Sequence, residues 1–340
     1  MKVQIASDLD PTRAAGTQRL ADAPLCWCIS KGMAGMNSQT RGLAEAVGVE
    51  YEMHSARMAV PWRWLPVAWV PCSVSTLRGL PALATSRPPR LVISCGRHGV
   101  VPALALKRLL GDQVFTVHVQ DPKVAPALFD LVVVPRHDAV SGDNVYATMG
   151  AIHYVSEDTL AAARSSELAV KLRAENMPLV TVLLGGPNRY YDFTNAAIDQ
   201  LVGHLRALAQ RHQVKLVILG SNRTPPECIA RMRGAFPAPH FVWDGSGENP
   251  YFSALACAEH IVVTGDSVSM VTEAAATGRP IFVYHLPQRR RSARFEDFHR
   301  MFADAGIIRP LTDELEQWCY EPPNDTPKIA AMIRERMGLC

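Results

Sequence analysis

The sequence contains no run of apolar residues that approaches the roughly 18 needed to cross a membrane. Its 35 basic and 32 acidic residues leave a net charge of +3, which is too small to indicate nucleic-acid binding. The eight cysteines form no CxxC pair and no histidines stand at metal-ligand spacing, so the sequence predicts neither a metal site nor a disulfide framework. A reduced, cytoplasmic protein is expected.

Low-complexity tracts and repeats shorter than a domain are also missing. Residues 1–22 are polar and Ala-rich without an apolar core region, so we expect a flexible N-terminal tail rather than a signal peptide. At 340 residues, with 48% apolar and 20% charged residues, the remainder is long enough for two globular domains.

Short apolar runs alternate with helical patterns along the whole chain, and this alternation predicts mostly parallel sheets covered by helices. The predicted strands are Leu25–Ser30, Leu91–Ser94, Val114–Val119, Phe129–Val134, Leu179–Leu184, Lys215–Leu219, Ile261–Val263 and Ile281–Tyr284. Cys26 and Cys28, alternate residues of the first strand, are expected to fill the core. A helical segment at 157–175 separates two strand–helix sets, which predicts Rossmann-like domains at 23–175 and 176–310 with a cleft between them. Helices at 311–340 are expected to pack back on the first domain.

The segment Ile261–Pro280 is the most informative part of the chain. It reads as a buried strand, a turn at Gly265–Ser267, and a helix that begins near Ser267 and ends at Gly278. The turn and the helix N-terminus present backbone N–H groups and a positive dipole end, which favour an anion such as a diphosphate. Further along the helix, Glu273 is placed to accept the hydroxyls of a ribose. An ordinary crossover with a glycine turn and a serine N-cap is the alternative.

Other loops that follow predicted strands carry further candidate binding residues, because ligands of open α/β sheets lie at the carboxyl ends of the strands. In the second half, the donor-side candidates besides Gly265, Ser267, Ser269 and Glu273 are Gly185, Gly186, Ser221, Arg223, Thr224 and Asn249. Asn249 is alternatively the start of a helix. In the first half, the candidates for the cleft are Gly32, Gly35, Asn37, Gln39, Gly96, Arg97, Gln120 and Asn144.

Candidate acid–base groups lie after strands of the first half. Asp121, His137 and Asp138 are the candidate general bases, with Asp121 preferred and His137 next, although aspartates after strands are also common helix caps. Arg97 and His98 follow another strand, where they suit phosphate binding, acid–base chemistry or a plain surface position.

Two segments suggest surface contacts. Val60–Pro71 concentrates three tryptophans beside prolines and one arginine, which is typical of a membrane interface as well as of a segment folded on its own domain. The basic run at 288–294 fits either a solvated loop or contact with phosphate or an anionic membrane.

Taken together, these motifs resemble the bacterial members of the mitochondrial fission ELM1 family, which is related to GT-B glycosyltransferases. The resemblance extends from about Trp27 to Pro310. The motifs that carry it include Gln120-Asp-Pro122, Pro135-Arg-His-Asp138, Gly142-Asp-Asn144, Ser221-Asn-Arg-Thr-Pro225, Asn249-Pro-Tyr251 and Thr264-Gly-Asp-Ser-Val-Ser-Met-Val-Thr-Glu-Ala274. It implies the GT-B fold, two Rossmann-like domains that face each other across a cleft.

The resemblance further implies a metal-independent glycosyltransferase with no cofactor, which takes a nucleoside diphosphate sugar as co-substrate. The expected acceptor belongs to the cell envelope, with a lipid-linked molecule as one candidate, and peripheral contact with the cytoplasmic face of the inner membrane is expected. Two alternatives stay open: a nucleotide-sugar epimerase, and a non-catalytic scaffold or interaction protein.

Overall fold

The computed structural model describes residues 24–73, 77–79 and 87–339, so the expected tail at 1–22 lies outside the described residues. The described chain divides into two compact units, an N-terminal unit of residues 24–154 and 324–339 and a C-terminal unit of residues 155–323. Each unit is built on one six-stranded sheet.

The N-terminal unit has a parallel sheet in the order β2-β1-β5-β6-β7-β8. Between β2 and β5 along the chain, β3 and β4 form a separate antiparallel pair. Its strands are β1 (Leu25–Ser30), β2 (Glu50–Ser55), β3 (Arg57–Met58), β4 (Leu77–Arg78), β5 (Leu91–Cys95), β6 (Phe115–Val119), β7 (Leu131–Pro135) and β8 (Val145–Thr148). Its helices are α1 (Ala34–Val47), α2 (Arg97–Leu110) and α10 (Thr326–Met337).

The C-terminal unit has a second parallel sheet in the order β11-β10-β9-β12-β13-β14. Its strands are β9 (Leu179–Leu184), β10 (Lys215–Gly220), β11 (Phe241–Trp243), β12 (His260–Thr264), β13 (Ile281–Tyr284) and β14 (Ile308–Pro310). Its helices are α3 (Glu157–Arg164), α4 (Glu167–Leu172), α5 (Asn195–His212), α6 (Pro226–Ala235), α7 (Tyr251–Cys257), α8 (Val268–Ala275) and α9 (Ala293–Asp304).

Both sheets are buried on their two faces, which explains why their inner strands are continuous apolar runs rather than alternating patterns. In β1, Trp27 and Ile29 join the core on one face, while Cys26 and Cys28 join the core on the other. The prediction that these two cysteines share one face and fill the core is therefore confirmed. Each sheet presents the carboxyl ends of its strands along a single edge, and the candidate residues lie in the loops of those edges.

The helix after β5, α2, begins at Arg97, with Gly96 as its N-cap at a φ of 66°. Arg97 and His98 therefore lie in the first turn of a helix rather than in a loop. None of the helices in the described ranges is long and apolar enough to cross a membrane.

Candidate functional site

A fully buried carboxylate, Asp266, ties together the loops that follow β9, β10 and β12. It accepts hydrogen bonds from the Thr264 hydroxyl at 2.6 Å and from the Gly186 backbone N–H at 3.1 Å, and it pairs with the Arg223 guanidinium at 2.7 Å. Three donors compensate the loss of water around the buried charge. The sequence analysis did not select Asp266, although it lies inside the most informative segment and is an acidic residue directly after a buried strand.

The structure gives a reason for Gly185 and Gly186 that does not involve a ligand. A Cβ at Gly185 would collide with the Asp266 carboxylate, and one at Gly186 would collide with the Arg223 backbone. The Gly185 N–H donates to the Thr264 hydroxyl at 2.7 Å, so the N–H groups of both glycines are occupied by the loop after β12. Their binding to a diphosphate stays a prediction.

Hydrogen bonds between side chains and the backbone also fix the loop after β10. The Thr224 hydroxyl accepts from the Ser221 N–H at 2.8 Å and donates to the carbonyl oxygens of Leu184 and Gly185. Arg223 donates to the Gly186 carbonyl at 2.7 Å in addition to its pairing with Asp266. In this arrangement, Arg223 and Thr224 fix the loop, and their role as phosphate donors stays a prediction.

Two serines, Ser267 and Ser269, lie at the N-terminus of α8. Ser267 is the N-cap and accepts from the Met270 N–H at 3.4 Å, as the sequence predicted for a helix that starts there. Ser269 lies half-buried in the first turn, and its hydroxyl forms no hydrogen bond with a described residue. The first turn therefore provides a dipole end and donor groups at one place.

Glu273 is the sixth residue of α8 and is only 9% exposed. The hydroxyl of Tyr251, the first residue of α7, donates a hydrogen bond to Glu273 Oε2. Tyr251 was missed as a functional candidate because a tyrosine at a helix start carries no local signal. Asn249 accepts from the Tyr251 N–H at 3.0 Å, so its observed role is to begin α7.

Two histidines flank Gly265, and neither was a candidate from the sequence. The ring centroids of His285, directly after β13, and His299, in α9, are 4.9 Å apart. A Cβ at Gly265 would lie 3.1 Å from His299 Cε1 and 3.2 Å from His285 Nδ1, so a side chain there would require both rings to shift slightly. Burial, together with repulsion from His285, lowers the pKa of His299 to about 4. Both rings are therefore expected to be neutral at pH 7.

In the N-terminal unit, several cleft candidates come together at the carboxyl ends of β1, β5 and β6. The Ser30 hydroxyl donates to Asn37 Oδ1 at 2.6 Å and accepts from the Gly32 N–H at 2.8 Å. Gln120 donates to the buried Gln39 side chain at 3.4 Å, and Gln120 adopts a φ of 79°. A positive φ at a residue with a Cβ is strained, and such strain concentrates at functional sites.

The remaining candidates near this edge have mainly structural contacts. Gly35 lies in the first turn of α1, and a Cβ at Gly96 would lie 2.8 Å from Met36 Cε. Arg97 donates to the carbonyl oxygens of Arg63 and Leu65, which brace the Trp-rich segment. Asn144 donates to the carbonyl oxygens of Pro126 and Phe129 at 2.8 and 2.7 Å.

The three candidate bases differ in accessibility. The Asp121 carboxylate is 20% exposed, accepts from the Lys123 N–H at 2.8 Å and pairs with the Lys123 ammonium group. The side chains of His137 and Asp138 are 1% and 7% exposed, with His137 Nε2 3.8 Å from Asp138 Oδ1. Of the three, Asp121 has the most surface available to an acceptor. Among the described residues, no group of three or more His, Cys, Asp or Glu side chains is arranged to hold a metal ion.

Comparison with solved structures identifies the fold. The fold is similar to that of UDP-GlcNAc 2-epimerase from Neisseria meningitidis, whose structure was solved with UDP-GlcNAc bound. The superposition covers 93% of this chain and 99% of the epimerase chain. The TM-score is 0.54 at 12% sequence identity, so the likeness concerns the fold alone. With its two parallel six-stranded sheets, the chain has the GT-B fold.

Comparison of sequences identifies the family. The mitochondrial fission protein ELM1 of Arabidopsis thaliana is 31% identical over an alignment of 283 residues, and the match covers 74% of this chain and 64% of that protein. An uncharacterised protein of Rickettsia prowazekii is 24% identical over 73% of this chain and 79% of its own length. This chain therefore spans somewhat less than two thirds of the plant relative. The family model for mitochondrial fission ELM1 matches residues 34–337, and the chain belongs to that family.

Proposed function

We propose that this protein is a glycosyltransferase that moves a sugar from a nucleoside diphosphate donor to a cell-envelope, lipid-linked acceptor. The observation that carries the proposal is the placement of Glu273 on the same helix as the Ser267–Ser269 turn. Glu273 follows Ser267 by six positions, which is about 9 Å along the helix axis. A nucleotide whose diphosphate lies at the first turn of α8 then brings its ribose to the carboxylate.

In the proposed reaction, the protein has to stabilise negative charge on the leaving group. Loss of the sugar leaves a nucleoside diphosphate with additional negative charge, and the N-terminus of α8 with the Ser269 hydroxyl stabilises that charge as it develops. Ser267 supplies the cap that fixes the helix start, and Asp266 fixes the loops on either side. Asp121 is the proposed base that takes the proton of the acceptor hydroxyl, because its carboxylate is the most exposed of the three candidates and is held in place by Lys123.

The similar fold of an enzyme solved with UDP-GlcNAc supports a nucleotide-sugar ligand, and UDP is therefore the first nucleotide to test. A thermal-shift screen would compare UDP, GDP, CMP and ADP with their sugar conjugates. Ligand at about 100 times its dissociation constant adds roughly 2.7 kcal/mol to the free energy of unfolding, which gives a measurable rise in Tm. We expect a rise with one nucleotide class.

Glu273→Ala is expected to abolish that rise, whereas Glu227→Ala, which removes an exposed carboxylate of α6 in the same unit, is expected to preserve it. If both variants respond like the unmodified protein, Glu273 does not bind the ribose. If no nucleotide shifts the unmodified protein, the nucleotide-sugar proposal fails, and a scaffold or interaction protein becomes the better interpretation.

Turnover experiments separate the two enzyme classes. A transferase needs an acceptor for net consumption of the nucleotide sugar, whereas an epimerase converts it with no acceptor present. Product formed by the chain and the nucleotide sugar alone, detected by NMR of the sugar ring, would therefore support the epimerase and contradict the transferase.

The acceptor side of the proposal rests on the Trp-rich segment. Trp64 and Trp69 are 67% and 71% exposed, while Val67 and Val70 between and beyond them are buried in the core of the N-terminal unit. Exposed tryptophans on an anchored segment suit the interfacial region of a membrane. We therefore place the working protein in peripheral contact with the cytoplasmic face of the inner membrane.

A further inference from the structure

Four basic residues lie at the edge of the N-terminal unit where three neighbouring parallel strands end. Lys31 directly follows β1, Arg57 lies two residues after β2, and Arg97 and His98 follow β5 across one glycine. The strand order β2-β1-β5 and the pairings Ser30↔Ser55 and Ile29↔Ser94 put these strand ends side by side. We call Lys31, Arg57, Arg97 and His98 the basic cluster.

The positive charge of the basic cluster has no acidic partner among the residues that the structure describes. Lys31, Arg57 and Arg97 form no ion pair there. Of the acidic residues of β2, Glu52 pairs with His54 at 3.1 Å, and Glu50 lies at the opposite end of the strand, where it pairs with Arg87 at 3.3 Å.

The environment of His98 also shows an excess of positive charge. Burial lowers the pKa of His98, and repulsion from Lys31, Arg97 and Arg57 lowers it further. Its Nδ1 atom is buried and forms no hydrogen bond with a described residue. Like charges that converge beside the N-terminus of a 14-residue helix provide attraction for an anion and donors to hold it.

The basic cluster continues into the exposed part of the Trp-rich segment. Arg97 donates to the carbonyl oxygens of Arg63 and Leu65, the two residues that flank Trp64. The Arg63 guanidinium lies 4.7 Å from the centroid of the Trp64 ring. Cationic groups and an exposed indole therefore share one surface, and a ligand that suits both has a phosphate group next to an apolar chain.

We propose that the basic cluster binds the phosphate group of an anionic lipid while Trp64 and Trp69 enter the interfacial layer of the membrane. This deepens the acceptor side of the proposed function, and it assigns residues to a second anion site that is separate from the one at α8. Its test does not depend on nucleotide binding.

The experiment is co-sedimentation of the full chain with phosphatidylcholine vesicles, with and without phosphatidylglycerol. We expect binding to the anionic vesicles that weakens as the salt concentration rises. Each basic residue near an anionic membrane surface adds about the same amount to the binding free energy. Removal of two such residues in Lys31→Gln/Arg57→Gln is therefore expected to lower the partition coefficient about 30-fold. The matched control Lys171→Gln/Arg300→Gln removes two exposed charges from the C-terminal unit. It is expected to change the partition coefficient by less than about threefold.

Two further arms identify the source of the phosphate. Trp64→Ser is expected to weaken vesicle binding and to leave binding of free pyrophosphate, measured by calorimetry, unchanged. Equal vesicle binding by Lys31→Gln/Arg57→Gln and the unmodified chain would overturn the proposal. So would binding of free pyrophosphate that is lost in Lys31→Gln/Arg57→Gln, by a chain that ignores the anionic vesicles. All the substituted residues are exposed, and an unchanged Tm in the absence of any ligand shows that the variants are folded.

Discussion

At the scale of single residues, Asp266 is the most consequential side chain of the C-terminal unit because three loops depend on it. Asp266→Asn removes the charge opposite Arg223 and turns an amide nitrogen towards one of the existing donors. Removing one partner of a buried ion pair costs about 3–5 kcal/mol, and we expect a loss in that range. Hydrogen exchange of the β9 amides measures it, with Asp244→Asn as the control.

Asp244 is exposed, lies in the same unit and pairs only with Arg233 among cationic side chains at 3.3 Å. Its substitution is expected to change the stability by less than about 1 kcal/mol. Protection of the β9 amides that is equal in Asp266→Asn and Asp244→Asn would show that the loops hold their positions without the buried carboxylate.

His118 predicts how the N-terminal unit responds to acid. Complete burial lowers the pKa of His118 from 6.5 to about 3, while Asp121 opposes the shift. The unfolded chain therefore binds a proton below pH 6.5 that the folded unit excludes, so stability is greatest above pH 6.5 and falls as the pH drops towards 3. Between pH 7 and pH 5, the loss from this one group is about 2 kcal/mol.

His118→Met is expected to remove that part of the acid sensitivity, as measured by hydrogen exchange of the β5 and β6 amides at the two pH values. Between pH 7 and pH 8.5, the variant and the unmodified protein should change in parallel, because His118 is neutral in both folded and unfolded chains there. An identical loss at pH 5 in both proteins would show that His118 does not titrate on unfolding.

Residue types with a local physical signature were predictable from the sequence, and those whose role depends on distant partners were not. Ser267 caps a helix through its own third neighbour, so its role is readable from the order of residues. The roles of Asp266 and Tyr251 arise from residues 80 and 22 positions away along the chain. No local pattern encodes such pairings.

At the scale of elements, the strands of the two six-stranded sheets that the sequence analysis missed share one property. They are β2, β8, β11 and β14, and they are the four edge strands of the two sheets. An edge strand is partly exposed and often short, so it lacks the continuous apolar run that reveals an inner strand. β2, for example, contains Glu50, Glu52 and His54 and buries none of its side chains.

The loop after β9 gives a prediction about an element rather than a side chain. Gly186→Ala is expected to destabilise the C-terminal unit by about 1–3 kcal/mol, because the new Cβ overlaps the Arg223 backbone and the loop must shift. Gly203→Ala in α5 meets open space and is expected to stabilise the same unit by about 0.5–1 kcal/mol, since alanine favours a helix interior.

Thermal unfolding of the two glycine variants gives the measurement. Changes in Tm of opposite sign support a loop that is closed by backbone packing. If Gly186→Ala is as stable as Gly203→Ala, the loop has room for a side chain, and a ligand would again be the better reason for a glycine at this position.

At the scale of the whole molecule, the chain leaves the N-terminal unit after residue 154 and returns to it at residue 324. The returning segment forms α10, which packs against α1 and buries Ile329, Ala330 and Ile333 in the core formed with Leu43 and other residues. The N-terminal unit therefore cannot be complete until the last residues of the sequence are present. This dependence links its stability to a segment that is almost 300 residues away from β1.

Ile333→Ala tests the dependence. Truncation of a fully buried isoleucine costs about 2–5 kcal/mol, and the loss should fall on the N-terminal unit alone. Hydrogen exchange is expected to quicken at β1 and α1 while β9 and β12 keep their protection, because foldons exchange as separate cooperative units. Met337→Ala at the partly exposed end of α10 is the control and should affect exchange much less. Equal acceleration in β1 and β9 would mean that the two units unfold as one, and the chain's return would then stabilise the entire molecule.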